Sequence, residues 1–125
     1  MDIAMKHTIA AVLLISVLGT PAFAQDPWTN TDTALAVTYA GLAIVDLGQT
    51  INGAETTNGH EMNPLLGRHP SRDKLIAFTA LYVPLNTYIA YRLPHPYRRI
   101  WQALTIAVDA ACVAHNYSIG LKVKF

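Results

Sequence analysis

Two aspartates stand in stretches of this 125-residue chain that otherwise carry no acidic or basic side chain. Across Thr33 to Ile51, Leu75 to Tyr91 and Ile100 to Leu121, Asp46 and Asp109 are the only formal charges. A carboxylate in apolar surroundings is expensive, about 2.5 to 3.5 kcal/mol at the centre of a membrane helix, so each must face protein, water or a partner. Around Asp109 polar residues recur at spacings of three and four, namely Gln102, Thr105, Asp109, Cys112 and Asn116, and a matching row in the first stretch runs through Tyr39, Asp46, Gln49 and Gly53. Thr79, Tyr82 and Asn86 form a shorter row between them. On helices, such rows are narrow seams. Seams of this kind join helices by hydrogen bonds worth about 0.6 to 2 kcal/mol each, or line a wet path for ions.

Catalytic arrangements are hard to compose from these residues. An aspartyl dyad needs Asp46 and Asp109 side by side, yet their expected depths differ by about five residues, roughly 7 Å along a helix. Ser118 lies three residues from His115 without the turn that presents a nucleophile. His60, Glu61, His69, Asp46 and His115 are ligand types, but no HExxH or comparable metal spacing joins them. The single cysteine, Cys112, allows no internal disulfide. The sequence therefore assigns no catalytic, cofactor or metal residue. A net charge of +1, with Lys and Arg mostly in connections, gives no basic face for nucleic acid.

The elements that must position these residues follow from hydropathy. Apolar residues make up 52% of the chain and charged ones 14%, which departs from soluble averages in the direction of membrane proteins. Lys6 and His7 precede an uncharged run from Ile9 to Leu18, then Gly19, Pro21 and Ala22-Phe23-Ala24. That is the pattern of an export signal cleaved after residue 24, and Met5 is a second candidate start. The alternative is an uncleaved first span. Three apolar segments follow, at about 33–51, 75–93 and 100–121, each near the length a span requires. The expected fold is all-α: a signal peptide over 1–24 and a membrane domain over 25–125 built as a three-helix transmembrane bundle. A secreted soluble three-helix bundle is the competing arrangement, because Ala, Gly and Thr make the segments only moderately apolar.

Export of the signal leaves the mature N-terminus outside, after a polar lead-in from Gln25 to Asp32, and the C-terminus in the cytoplasm. Arg68, Arg72, Lys74, Lys122 and Lys124 then lie inside, with Arg92, Arg98 and Arg99 outside. The excess is small, and the outer arginine pair runs against the positive-inside rule. Trp28, Tyr91, Tyr97 and Trp101 share the outer interface, where amphipathic rings are favoured. The expected partner is the lipid bilayer of a bacterial inner membrane, with a homo-oligomer or another membrane protein as further partner.

Asp46-x-x-x-Thr50, Glu61-x-Asn63-Pro64-Leu65-Leu66-Gly67 and His115-Asn116-Tyr117-Ser118-Ile119-Gly120 together resemble a family of small, uncharacterised bacterial multi-pass membrane proteins. The resemblance covers most of the mature chain. It implies membrane location and a shared role for the motif positions, and supplies no mechanism.

Depth counting at 1.5 Å per residue brings Asp46 and His115 to similar heights toward the inner side. The candidate cluster is thus Asp46, His115 and Asn116, roofed by Glu61 and Asn63 from the long connection. Asn86 and Asp109 form a second candidate pair near the midplane. The leading functional expectation is a non-enzymatic membrane component, structural or partner-binding. The alternative is an ion-linked transporter, channel or holin-like permeation component using Asp46, Asp109 and His115.

Overall fold

Thr29 opens the first helix by a reciprocal cap. Its hydroxyl oxygen accepts from the Asp32 N–H at 3.2 Å, and the Asp32 carboxylate accepts from the Thr29 N–H at 2.8 Å. This satisfies donors that a helix start leaves open, so α1 runs Asn30–Thr56, beginning before its apolar stretch. The structure is a computed structural model describing residues 26–56 and 70–125, the side chains of 55 and 56 excepted. The expected signal peptide and the expected roof of Glu61 and Asn63 lie outside the described residues.

Ser71 caps α2, Arg72–Arg92, by accepting from the Lys74 N–H at 3.2 Å, as its position before Asp73 leads one to expect. The helix stops at Leu93 because Pro94 disfavours helical geometry in the residue before it. α3, His95–Ser118, starts five residues before its apolar stretch. Its first turn has no cap from its own chain segment. Asp26 supplies one, accepting from the His95 N–H at 2.6 Å.

α1 and α3 run parallel and α2 runs antiparallel to both, with α1 packed against each of the others. Ile51 and Leu75 are the apolar centre between α1 and α2, flanked by Leu47 and Phe78. Past α3, Gly120 takes a φ of 87° and turns the chain back. The last residues then lie along α1, where the Lys122 N–H donates to Asn52 Oδ1 at 3.1 Å and the Lys124 N–H to the Gly48 carbonyl at 3.1 Å. Gly48 is what lets the tail approach. A Cβ there would stand 2.6 Å from Val123 and 3.0 Å from Phe125.

The described residues are therefore all-helical, with three helices and no strands. One described helix, over Asn30–Ala54, is long and apolar enough to cross a membrane, at a mean hydropathy of 1.4.

Candidate functional site

A constant offset of 70 residues relates α1 to the third helix and its tail. Arg99 meets Thr29 at 3.2 Å, Gln102 donates to the Asp32 carbonyl at 3.2 Å, Asn116 donates to Asp46 at 2.8 Å, and Lys122 donates to Asn52. Polar residues recur every seven positions on both sides of this interface: Asp32, Tyr39 and Asp46 on α1, and Gln102, Asp109 and Asn116 on α3. Seven residues are close to two helical turns, so residues so spaced stay between the same two helices. The offset sets Tyr39 opposite Asp109.

At the α1 N-terminal end the seam closes on Arg98 and Asp32, both with side chains 0% exposed and joined at 3.2 Å. Burying an ion pair costs several kcal/mol per ion, offset when the remaining polar atoms are hydrogen-bonded; the Arg98 nitrogens are, whereas Asp32 Oδ1 makes no hydrogen bond. Arg98 Nε donates to the Ala90 carbonyl at 3.1 Å, Nη1 to Pro27 at 3.1 Å, and Nη2 to Asp26 at 2.9 Å. The guanidinium also sits 5.4 Å from the centre of the Trp28 ring, within cation–π range. Arg99 adds a second contact to Asp32 at 3.4 Å. One arginine thus ties the lead-in of α1, the C-terminal turn of α2 and the first turn of α3.

In the middle of the seam Tyr39 is buried, its hydroxyl making no hydrogen bond. Its ring lies 6.4 Å from that of Tyr82, which stacks on Phe78 at 5.6 Å. At the other end, besides the bond from Asn116 to Asp46, Gln49 Nε2 donates to the Val113 carbonyl at 3.3 Å.

Of the residues expected to act together, the structure joins Asp46 and Asn116 directly. His115 has the matching height but points elsewhere. One residue is about 100° of helical rotation, and His115 lies on the exposed side of α3. Asn86 is buried with its side-chain N–H donors unpartnered, while its backbone carbonyl accepts from Trp101 Nε1 at 3.3 Å. Trp101 is about 12 Å along α3 from Asp109, and no hydrogen bond joins Asn86 to Asp109 among the described residues. Ser118 Oγ donates to the His115 carbonyl at 2.7 Å rather than to its ring.

The Asp32–Arg98 pair is absent from the sequence expectations, which put Asp32 in a polar lead-in and Arg98 on the outer side. Thr29-x-x-Asp32 ahead of an apolar run is a capping pattern that points to Asp32 as part of a helix start. Nothing local points to Arg98. Comparison of the chain with protein families, with curated proteins and with solved structures finds no match.

Proposed function

We propose that this chain is a small multi-pass membrane protein, with all three helices crossing the bilayer and a structural or partner-binding role. The observation that carries the reading is that, beside a small apolar core of Ile51, Leu75 and Ile89, polar side chains are buried while large apolar ones stand outside. Asp32, Gln49, Asn86, Arg98 and Gln102 are buried, whereas Val37 (67%), Leu81 (71%) and Val108 (60%) are exposed. A water-soluble bundle arranges these the other way round. Hydrocarbon is the solvent such a surface matches, and ionisable groups then belong inside the bundle.

The exposed hydroxyl groups support this. Thr38 donates to the Ala34 carbonyl at 2.8 Å, and half-buried Thr87 and Thr105 likewise donate to Val83 and Trp101 in their own helices. Such groups require no water. α2 and α3 are less apolar than α1, and the reading accounts for that through their inward-facing polar residues. An export signal cleaved after residue 24 gives an outer N-terminus, an inner C-terminus and a bacterial inner-membrane location. The family resemblance of the Asp46, Glu61 to Gly67 and His115 to Gly120 motifs points the same way, and a homo-oligomer fits helices with bare apolar faces.

Permeation by way of Asp46, Asp109 and His115 is the second reading. The two aspartates on the seam favour it, but buried Arg98 closes one end of that seam with a positive charge. The test is a pair of reporter fusions after Lys124 combined with alkaline extraction of membranes. A cytoplasmic reporter is expected to be active, alkaline phosphatase inactive, and the chain to resist extraction. An active phosphatase overturns the orientation, and full extraction overturns the membrane reading.

A further inference from the structure

Where the lead-in of α1 meets α2 lies an open groove of about 550 Å³, lined by Trp28, Val83, Pro84, Thr87, Tyr88 and Tyr91. The five α2 residues recur at spacings of three and four and so share one side of that helix. Its polar atoms are largely met within the chain. Trp28 Nε1 donates to Thr33 Oγ1 at 2.9 Å, Thr87 Oγ1 donates to the Val83 carbonyl at 3.2 Å, and Pro84 has no N–H to offer. The aromatic wall is held in place as well, with the Trp28 ring 6.1 Å from that of Tyr91 and the Arg98 guanidinium 5.4 Å from the Trp28 ring centre. An occupant therefore meets aromatic and aliphatic surface, and Tyr88 and Tyr91, 44% and 45% exposed, are open to it.

A cation stands at the end of this groove. Arg92 follows Tyr91 directly and lies one helical turn, about 6 Å, past Tyr88. Among the described residues it makes no ion pair, and its Nε has no hydrogen-bond partner. The nearby carboxylates are engaged elsewhere, Asp32 by Arg98 and Arg99 and Asp26 by the His95 N–H. An apolar groove that ends beside an uncompensated arginine suits an amphiphile with an apolar chain and an anionic head. We infer that the groove holds one acyl chain of an anionic phospholipid, with the lipid phosphate at Arg92. The inference rests on the membrane reading, which sets Trp28 and Tyr91 at the outer interface beside the lipid headgroups. From Tyr91 down to Val83 is about 12 Å along α2, close to the depth of one leaflet, which is about half of a 30 Å hydrocarbon core. The groove thus runs from the headgroups into the hydrocarbon, as an acyl chain does.

The experiment uses the full chain, purified in a neutral detergent and titrated with phosphatidylglycerol or phosphatidylcholine of equal chain length, with bound lipids counted by native mass spectrometry. The first phosphatidylglycerol is expected to bind about fivefold more tightly than phosphatidylcholine, the effect of one arginine on an anionic headgroup. Arg92→Gln removes that preference and leaves the weaker binding that the two lipids share. Val83→Phe, which puts a ring into the groove, lowers the occupancy of either lipid several-fold, and circular dichroism checks that each variant is helical. Should Val83→Phe fail to fold, Arg92→Gln, at the end of its helix, carries the test. Equal binding of the two lipids by the wild type, a preference unchanged in Arg92→Gln, or dimers that exclude lipid overturns the inference. A chain that stays dissolved without detergent overturns the membrane reading instead, whereas a chain that needs detergent and shows no lipid preference overturns this inference alone.

Discussion

Arg98 and Asp32 meet at 3.2 Å with neither side chain reached by solvent, at the one place where the lead-in of α1, the end of α2 and the start of α3 come together. Removing Arg98 leaves the buried Asp32 carboxylate with Arg99 alone, at 3.4 Å, and stripping a buried charge of its closest partner typically costs about 3 to 5 kcal/mol. Arg98→Gln is expected to lose stability of that order in detergent unfolding. Adding Asp32→Asn is expected to recover part of it, because the second change removes the stranded charge. Additive losses in the double variant mean that the pair is not the lock it is argued to be.

Asp46 and Asn116 are expected to be coupled, and Asp46 and His115 are not. In a double-mutant cycle with Asp46→Ala and Asn116→Ala, the interaction should come to about 0.6 to 2 kcal/mol. His115→Gln, at an exposed position, should stay within about 0.5 kcal/mol of wild type in stability. A large loss from His115→Gln alone transfers the importance of the motif to the histidine.

Gly48→Ala places a methyl group where the tail now lies, 2.6 Å from a Val123 side-chain carbon. The side chain at the end of the tail can give way, so the cost in stability should be small. The tail itself should loosen. Trypsin cleavage after Lys122 and Lys124 is expected to be several-fold faster in the variant, and an unchanged cleavage rate means that the tail is not held by this approach.

Cys112, which the sequence places in the polar seam of the last helix, is exposed on α3 instead, so the membrane reading puts that side of the helix against lipid. A thiol in hydrocarbon does not ionise, and the thiolate is the reactive form. A membrane-impermeant maleimide is therefore expected to leave Cys112 unlabelled in intact membranes and to label it once the chain is denatured in detergent. Rapid labelling of intact membranes puts that face of α3 in water.

Element types and caps were legible in local sequence. Ser71 with Asp73 starts α2, Pro94 separates α2 from α3, and three apolar stretches become helices, because capping and periodicity are decided by neighbours a few residues apart. Helix limits were less legible, since α3 begins at His95 only where Asp26, far away in sequence, caps it. The seven-residue spacing of Tyr39 and Asp46, and of Gln102, Asp109 and Asn116, is likewise written in the chain and makes a polar seam on each helix. Which residue of one seam meets which of the other is not. That depends on how two parallel helices slide and rotate against each other, and one residue of rotation separates Asn116, bonded to Asp46, from His115, which faces outward. Arg98 shows the same limit more strongly. Its local sequence places it in an outer arginine pair, and only the convergence of three chain segments, which supplies its carboxylate and its carbonyls, offsets the cost of its burial.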